Sequence, residues 1–303
     1  MDPISRIEIA FHIELKHVSG AEYCGPCPIC GGTDRWHFWV DRLNWWCRPG
    51  PGHCGRKGFL DELFDDVKAP TQQDRLEWRM ARIEEQQREM ERRLSALERM
   101  AQSTDHLNYH YNITTDAVVY FNEEGITNAS IDKYMLGYCP RCPTDRQGRP
   151  SYTIPVINDG TLLNIRHRLV GADSDKYRPH MAGLGVQLFN ADYLDEPGES
   201  ILIVEGEKKS IVVAQLGIPN VGIVGKRSFM KDWLTEFGRF QTVYIALDPD
   251  ATESAYRLGA LFGERARVAR MPVKIDEAVF RYGATRGDIE AFLANARPVR
   301  VKH

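Results

Sequence analysis

Four cysteines in two pairs offer the clearest chemistry in the sequence. Cys27 and Cys30 are separated by two residues, and Cys47 and Cys54 follow after an aromatic segment. Two such pairs can close a tetrahedral thiolate shell around Zn²⁺, because a tight turn lets both sulfurs of a C-x-x-C reach one ion. We therefore expect one structural zinc. The wide gap in CRPGPGHC leaves His53 as the alternative to Cys54 for the fourth ligand.

Acidic side chains at the ends of two apolar runs form a second candidate site. Glu205 closes the run ILIVEG, and Asp248 and Asp250 follow the run TVYIAL. Ligands gather at the carboxyl ends of parallel strands, so we expect these three carboxylates to converge. Oxygen ligands of this kind suit Mg²⁺ or Mn²⁺. About two such ions would neutralise a triphosphate and activate a hydroxyl, and a glutamate would assist its deprotonation.

Basic side chains are the third group with a chemical use. Lys208 and Lys209 fall in the first turn of the helix after Glu205, where free backbone N–H groups also attract phosphate. The segment IRHRLVGADSDKYRPH is the most basic stretch outside the long helix described below. A solvated basic face is the alternative interpretation. We expect phosphate contacts to a nucleic acid or a triphosphate from Arg166, Arg168, Lys176, Tyr177, Arg178, Lys208, Lys209, Lys226 and Arg227.

The aromatic segments between the cysteine pairs, RWHFWV and NWWC, predict a hairpin. Strand alternation places Trp36 and Phe38 on one face and His37 and Trp39 on the other. A small ribbon needs one face for its core, and we assign Trp36 and Trp46 to it. The second face could stack on the bases of single-stranded DNA, although His37 and Trp39 could equally fill the core.

A long helix is predicted over residues 71–102, which contain neither Gly nor Pro. Its apolar residues recur in steps of four and three, the a/d pattern of a heptad repeat, with one polar member. The helix could be a rigid spacer, a seam for self-association, or an element packed on the core. The a/d positions are Leu76, Met80, Ile83, Gln87, Met90, Leu94, Leu97 and Ala101.

The remaining sequence predicts two further domains. SYTIPVI and LLNIRHRLV read as a strand pair around residues 158–160, within a mixed segment of strands and short helices. After residue 199, the apolar strands ILIVEG, NVGIVG, TVYIALD and RVARMP alternate with the helices EKKSIVVAQLG, FMKDWLTEFGRF and ESAYRLGALFGERA. Uninterrupted apolar strands between helices indicate a parallel sheet buried on both faces.

The predicted fold class is therefore multidomain. A small β zinc ribbon would occupy residues 1–67 and a helical linker residues 68–104. An α+β lobe would follow over 105–198, and an α/β domain with a parallel sheet would cover 199–303.

Composition restricts the functional classes. The 303 residues carry a net charge of −3, which argues against broad electrostatic binding of nucleic acid, so any contact must come from local patches. No apolar run approaches the length of a membrane span, and the N-terminus lacks the features of a signal peptide. We therefore expect a protein of the reducing cytoplasm, where cysteines are more often metal ligands or free thiols than disulfides.

The N-terminal motifs resemble a known family. GPCPICGGTDRWHFWV followed by WWCRPGPGHCGRKGFLDEL resembles the CHC2-like zinc-binding domain of DnaG-type and phage primases. In that family a glycine-rich knuckle after the last cysteine leads into a helix, as GRKGFLDELF would here. The stretched CRPGPGHC departs from the second C-x-x-C usual in the family, which leaves the fourth ligand open.

The C-terminal motifs resemble the Toprim domain shared by primases, topoisomerases and some nucleases. That family has Glu-Gly after its first strand and Asp-x-Asp after a later one, matching Glu205, Asp248 and Asp250. The resemblance implies that Glu205 is a general base or metal ligand and that the two aspartates bind metal. It also implies a further acid after the next strand, for which Asp276 is the candidate and Glu277 the rival.

Both resemblances together imply a DNA primase that makes short RNA primers on single-stranded DNA from ribonucleoside triphosphates. No Walker motif is present, so a replicative helicase is expected to act in trans in the bacterial cytoplasm. The layout resembles phage or plasmid primases. The alternatives are a Toprim nuclease targeted by the ribbon, or a non-catalytic DNA-binding adaptor. A further pair, Cys139 and Cys142, is expected to be two free thiols rather than a second zinc site with His106 or His110.

Overall fold

A computed structural model describes residues 2–50, 53–64, 72–172, 176–225 and 228–299, without the side chains of residues 72–79, 81 and 82. The chain divides into two compact units, residues 1–90 and 91–303. No helix among the described residues is long and apolar enough to cross a membrane.

The first unit contains helix α1 and a five-stranded antiparallel sheet in the order β1-β2-β3-β4-β5. Its core is aromatic: Trp36, Phe38 and Trp45 are all buried, with the Trp36 and Phe38 rings stacked 5.7 Å apart. The predicted alternation of β3 is therefore confirmed. The elements are α1 Pro3–Phe11, β1 Lys16–Ser19, β2 Glu22–Cys27, β3 Gly31–Trp39, β4 Asn44–Cys47 and β5 Lys57–Phe59.

The assignment of Trp46 to the ribbon core is wrong. Trp45 is 3% exposed and occupies the core, whereas Trp46 lies on the opposite face of β4. Its pairing with β3 fixes which residues of β4 face the core, because Phe38 is opposite Trp45 and His37 is opposite Trp46. Cross-strand neighbours share a face, so the core residue Phe38 selects Trp45.

Helix α2 spans Gln72–Gln102, which confirms the predicted single helix. Its C-terminal end packs through Ala96 and Met100, neither of which belongs to the a/d set. Ala96 lies against Gly183, where an added Cβ atom would stand 3.6 Å from that of Ala96. The a/d residue Leu94 is exposed instead. The predicted position Leu76 lies outside the residues whose side chains are described.

The second unit begins with three short helices and a four-stranded sheet in the order β6-β7-β8-β9. Strands β7 and β8 form the predicted hairpin, which turns at Asp159 and Gly160, both with positive φ. The elements are α3 Asp105–Tyr111, α4 Thr115–Glu123, α5 Asn128–Lys133, β6 Gly137–Cys139, β7 Ser151–Asn158, β8 Thr161–Leu169 and β9 Tyr177–Pro179.

The rest of the second unit is built on a five-stranded sheet in the order β11-β10-β12-β13-β14. The first four strands are parallel, as predicted, and β14 is antiparallel to β13. Apolar side chains cover both faces of the sheet. The elements are β10 Ser200–Glu205, α6 Glu207–Gln215, β11 Asn220–Ile223, β12 Thr242–Ala246, α7 Thr252–Phe262, β13 Ala266–Val268, α8 Ile275–Phe280, α9 Arg286–Ala294 and β14 Arg297–Pro298.

The predicted helix FMKDWLTEFGRF is wrong, because the structure has only a 3₁₀ turn at Lys231–Thr235. Its aromatic residues are anchored in the core, with the rings of Phe229 and Trp233 at 5.4 Å and those of Phe229 and Phe237 at 5.8 Å. Tertiary packing overrides the weak helical propensity of so short a segment.

Candidate metal centre and active-site cleft

The four cysteines of the ribbon come together at one point. The Sγ atoms of Cys27, Cys30, Cys47 and Cys54 all lie within 4.8 Å of one another. The Cys27–Cys54 and Cys30–Cys47 sulfur distances are 3.8 and 3.6 Å. Zn–S bonds of about 2.3 Å in a tetrahedron require sulfurs about 3.8 Å apart. The cluster could therefore bind one zinc ion.

Local hydrogen bonds select Cys54 over His53 within this cluster. The His53 ring is engaged elsewhere, with Nδ1 lying 2.9 Å from the backbone oxygen of Arg48. The backbone N–H of Cys54 donates to Cys30 Sγ at 3.3 Å. Burial alone would raise the pKa of Cys30, but this N–H group and the neighbouring thiols lower it to about 6. The sequence alternative at position 53 is thus outside the sulfur cluster.

The outer face of the ribbon sheet carries an aromatic strip. The His37 ring lies 6.2 Å from Trp39 and 5.7 Å from Trp46, at interplanar angles of 22° and 36°. His37 Nδ1 is 2.7 Å from a carboxylate oxygen of Glu22, which fixes the orientation of the ring. His37 and Trp39 are therefore brought together as predicted, and Trp46 extends the strip beyond the two predicted residues.

Two of the predicted acids lie at neighbouring strand ends in the second unit. Strands β10 and β12 are adjacent and parallel, with Val204 opposite Ala246, so Glu205 and Asp248 emerge at the same edge of the sheet. Gly206, with φ of +95°, turns the chain from β10 into α6. Such a φ favours glycine, because a Cβ atom would be strained there.

Glu205 is half-buried, and its Oε2 atom has no hydrogen-bond partner among the described residues. Burial and, next, the negative charge of Asp248 raise its pKa, with a smaller contribution of the same sign from Asp250. Lys209 and the backbone N–H of Asp248 act in the opposite direction. The three predicted acids thus interact electrostatically.

Lys209 lies directly beside these acids. Its Nζ atom is 3.1 Å from Oδ1 of Asp248, and both side chains are largely buried. The predicted phosphate-binding lysine is therefore engaged with a predicted metal ligand, and its charge offsets the repulsion between Asp248 and Glu205.

A cavity of about 580 Å³ opens in front of Glu205. Asp276, in the first turn of α8, also lines it, and its Oδ1 atom is buried without a hydrogen-bond partner among the described residues. Glu205 and Asp276 therefore each bring a carboxylate oxygen without a hydrogen-bond partner to the same cleft, and Glu207 brings a third, which is ion-paired with Arg166. Glu277, the alternative to Asp276 in the sequence, lines the cavity as well.

The cavity also has a basic wall, formed by the antiparallel strands β8 and β9 and the residue before β9. Arg166, Arg168, Lys176 and Tyr177 line it, with the two guanidinium groups 5.5 and 5.7 Å from the centre of the Tyr177 ring. Burial raises the pKa of Tyr177 to about 12, so its hydroxyl is protonated at neutral pH. These predicted basic residues thus line the same cavity as the predicted acids Glu205 and Asp276.

Carboxylates that sequence reasoning missed hold two of these cations. Arg166 Nε lies 3.1 Å from Oε1 of the buried Glu207, and Lys208 forms an ion pair with Glu124, the residue that follows α4. The sequence offered no signal for Glu124, because it lies more than eighty residues before Lys208. The described wall of the cleft therefore carries matched charges rather than a purely basic surface.

The other predicted phosphate ligands have different outcomes. Arg178 is not among the cleft-lining residues of the described chain, and its guanidinium group donates to the backbone oxygen of Tyr177 at 3.1 Å. Lys226 and Arg227 lie outside the described residues.

A buried polar chain stands behind the basic wall. His180 Nε2 lies 3.0 Å from Oδ2 of Asp105, and His167 Nε2 lies 3.0 Å from Nδ1 of His180. Ser151 Oγ is 2.8 Å from Nδ1 of His167. Burial, with repulsion from His180 and Arg166, lowers the pKa of His167 to about 3. His167 is therefore neutral and fixes β8 between the two cleft arginines that flank it in sequence.

The candidate ligand atoms lie closer together in the cysteine cluster than among the acids of the second unit. Within the described ranges, the cysteine cluster is the only group of three or more ligand side chains whose donor atoms all lie within 4.8 Å. The acids of the cleft do not form such a group, although they interact electrostatically. Cys139 and Cys142 are both buried free thiols, and no second cysteine–histidine cluster is found in the described part of the chain.

Comparison with known proteins supports the fold. No protein-family model matches the chain, and no curated protein matches it. A DnaG primase catalytic domain bound to single-stranded DNA is similar at 18% identity and a TM-score of 0.55, over 68% of this chain and 83% of that one. The E. coli primase catalytic core is similar at 17% identity and a TM-score of 0.54, over 67% and 81%.

A third similar structure covers more of the chain. The Aquifex aeolicus primase, comprising zinc-binding and RNA polymerase domains, matches at 17% identity and a TM-score of 0.53, over 98% of this chain and 83% of that one. The chain therefore has a DnaG-type primase fold, of mixed α/β structure with several sheets.

Proposed function

We propose that this chain is a DNA primase that synthesises short RNA primers on single-stranded DNA. The observation that carries the proposal is the cleft, where Glu205 and Asp276 each have a carboxylate oxygen without a hydrogen-bond partner in a cavity that basic residues also line. A nucleotidyl-transfer site needs both a place for divalent ions and a place for phosphates. The DnaG-type fold supports the same assignment.

The acids have the chemistry of a divalent-cation site. Buried carboxylate oxygens without hydrogen bonds are costly unless a cation or donor satisfies them. Glu205, Asp248, Asp250 and Asp276 would hold Mg²⁺ or Mn²⁺, which would neutralise triphosphate charge and activate the primer hydroxyl. Glu205 would in addition accept a proton, because its raised pKa makes its carboxylate a stronger base than that of an ordinary glutamate. We propose the Toprim assignment for residues 199–303 on this basis.

The basic wall would bind the phosphates of incoming ribonucleoside triphosphates and of the template. Arg166 and Lys208 are held by Glu207 and Glu124 in the resting chain, so phosphate would replace a carboxylate as their partner. Such an exchange keeps the cations ordered before the substrate arrives, which reduces the entropic cost of binding. Arg168, Lys176 and Tyr177 would complete the surface, and Arg178, Lys226 and Arg227 are proposed as further phosphate contacts.

The ribbon would supply template recognition. We propose a zinc-bound ribbon over residues 1–67 whose strip of His37, Trp39 and Trp46 stacks on template bases. The segment 68–104 would join it to the polymerase lobe 105–198. A replicative helicase would act in trans on a phage- or plasmid-type enzyme in the bacterial cytoplasm.

The experiment is incubation of the full chain with Mg²⁺, single-stranded DNA and labelled ribonucleotides. We expect template-dependent RNA oligomers, and their loss in Asp276→Asn but not in the exposed control Asp232→Asn. Shortened DNA without RNA would overturn the proposal in favour of a metal-dependent nuclease, which uses the same acids. DNA binding without either product would indicate a non-catalytic adaptor.

A further inference from the structure

An exposed apolar stripe runs along α2. Met80, Ile83, Met90 and Leu94 are 53, 47, 65 and 54% exposed, and their spacing of three, seven and four residues places them on one side of the helix. Four large apolar side chains in one row are more than the scattered exposed residues of an ordinary surface. The stripe is distinct from the Ala96 and Met100 contact that attaches the C-terminal end of the helix.

Charges flank this stripe in a regular order. In the heptad frame, Met80, Gln87 and Leu94 are a positions, while Ile83 and Met90 are d positions. Every e position of the described side chains is glutamate, namely Glu84, Glu91 and Glu98. The corresponding g positions include Gln86 and Arg93, and no acid occupies a g position anywhere in the helix. One rim of the stripe is therefore acidic and the other is neutral to basic.

Among the side chains of α2 that the structure describes, none is ion-paired with the glutamates of this rim. The ion pair found along its described side chains joins Arg88 to Glu85, at 2.8 Å, on the side of the helix away from the stripe. Glu84 and Glu91 are exposed, and neither is in an ion pair with any described residue. The acidic rim is thus available to a partner with the opposite charge.

We propose that α2 pairs with α2 of a second copy of this chain as a parallel, in-register coiled coil. In a parallel pair each g residue faces the e residue five positions later on the other helix, so Gln86 faces Glu91 of the second copy. Arg93, the g residue opposite Glu98, has its guanidinium group against Gly185 of its own chain. In an antiparallel pair e faces e and g faces g, which sets glutamate against glutamate along the whole rim. Repulsion between the glutamate rims therefore disfavours the antiparallel pair and selects the parallel arrangement.

The composition of the seam indicates a weak and reversible dimer. Met80 and Met90 are flexible side chains that specify packing poorly. Gln87 at a central a position fixes the register but reduces stability, as a buried polar residue does in coiled coils. The pairing would bring the N-terminal ends of the two helices together, and so two zinc ribbons would be tethered to one end of the dimer. The inference does not depend on the proposed polymerase activity.

Sedimentation velocity of the zinc-loaded full chain, from low to high micromolar concentration, tests the association. We expect a concentration-dependent dimer that Met90→Glu abolishes and that Gln87→Leu tightens by about tenfold in Kd. Glu85→Gln, on the outer side of the helix, should leave the dimer unchanged. A wild-type chain that stays monomeric at the highest concentration would overturn the proposal, as would a dimer that Met90→Glu does not weaken.

Cross-linking tests the orientation separately. Met90→Cys places identical d positions side by side only in a parallel pair, so mild oxidation should give a disulfide-linked dimer. Arg88→Cys on the outer side and the wild-type chain, with its native thiols, provide the background. Cross-linking of Met90→Cys no greater than that background would overturn the parallel arrangement, even if the chain proved dimeric.

Discussion

The ribbon and the cleft are both predicted metal sites, but their ligands are arranged differently. The four ribbon sulfurs already lie within 4.8 Å of one another. The predicted acids of the second unit are more dispersed: Glu205 and Asp276 line the cavity, whereas Asp248 is not among its lining residues and is paired with Lys209 at 3.1 Å. The first set is closed around one point and the second is open toward a cavity.

This difference is what structural and catalytic metals require. A structural zinc site has four protein ligands and no open position, whereas a catalytic site leaves room for substrate. The origin of the ligands differs in the same way. The cysteines come from strands and loops within one small sheet, while the acids come from β10, the turn after β12, and α8. A change in one site should therefore leave the other intact.

The largest effect expected is on the ribbon. Cys47→Ser should reduce the zinc content from one ion per chain to none and unfold the ribbon, because structural zinc contributes on the order of 10 kcal/mol to folding such a site. The second unit should still unfold at its original temperature. Metal analysis and calorimetry check this, with Cys24→Ser as the control, since Cys24 lies outside the cluster. Full zinc content in Cys47→Ser would contradict the assignment.

The aromatic strip separates DNA binding from metal binding. Trp39→Ala should weaken binding of single-stranded DNA by about tenfold, since a stacked base is worth about 1–3 kcal/mol. Zinc content should not change. Fluorescence anisotropy with a labelled oligonucleotide measures the affinity, and Phe59→Ala, an exposed aromatic of the same sheet, is the control. Equal losses in both variants would remove the special role of the strip.

Lys209 tests whether the cleft is an open cation site. Its ammonium group competes with a divalent ion for Asp248. Lys209→Gln should therefore lower the half-saturating Mg²⁺ concentration for RNA synthesis by about threefold to tenfold, as expected for removing one nearby charge from a partly buried site. A Mg²⁺ titration of initial rates measures this. An unchanged or higher half-saturating concentration would contradict the competition.

The smallest expected effect concerns the histidine chain behind the basic wall. The pKa of His167 is lowered to about 3 in the folded chain, so protonation below about 6.5 favours the unfolded state. Stability contributed by neutral His167 is present above that pH and is lost as the pH falls toward the folded pKa. Between pH 7.5 and 5.5 the second unit should lose about 1 kcal/mol. Thermal unfolding at both pH values checks this, and His167→Gln should reduce the difference.

Sequence patterns predicted most of what is built locally. The cysteine spacing identified the sulfur cluster, and the apolar runs identified the parallel strands and the position of Glu205 at a strand end. Trp46 was misassigned because two adjacent tryptophans lie on opposite faces of a strand, and the sequence does not show which of them faces the core. The pairing of Phe38 with Trp45 across the hairpin decides which tryptophan faces the core.

What the sequence could not reveal depends on contacts between distant elements. Glu124 and Glu207 neutralise the cleft cations because α6 meets both β8 and the C-terminal end of α4 in the folded chain. The docked face of α2 is likewise set by a small residue, Ala96, fitting against Gly183. A heptad pattern describes the apolar side of a helix but not which of its sides contacts its own chain.

The most direct test of the central claim is RNA synthesis on a single-stranded template by Glu205→Gln beside Glu264→Gln. The first substitution removes a cleft carboxylate with little change in shape, while the second removes an exposed one distant in sequence. We predict a loss of about a hundredfold or more in the first variant, with unchanged zinc content and unfolding temperature, and wild-type rates in the second. Primer synthesis by Glu205→Gln at the wild-type rate would contradict the account.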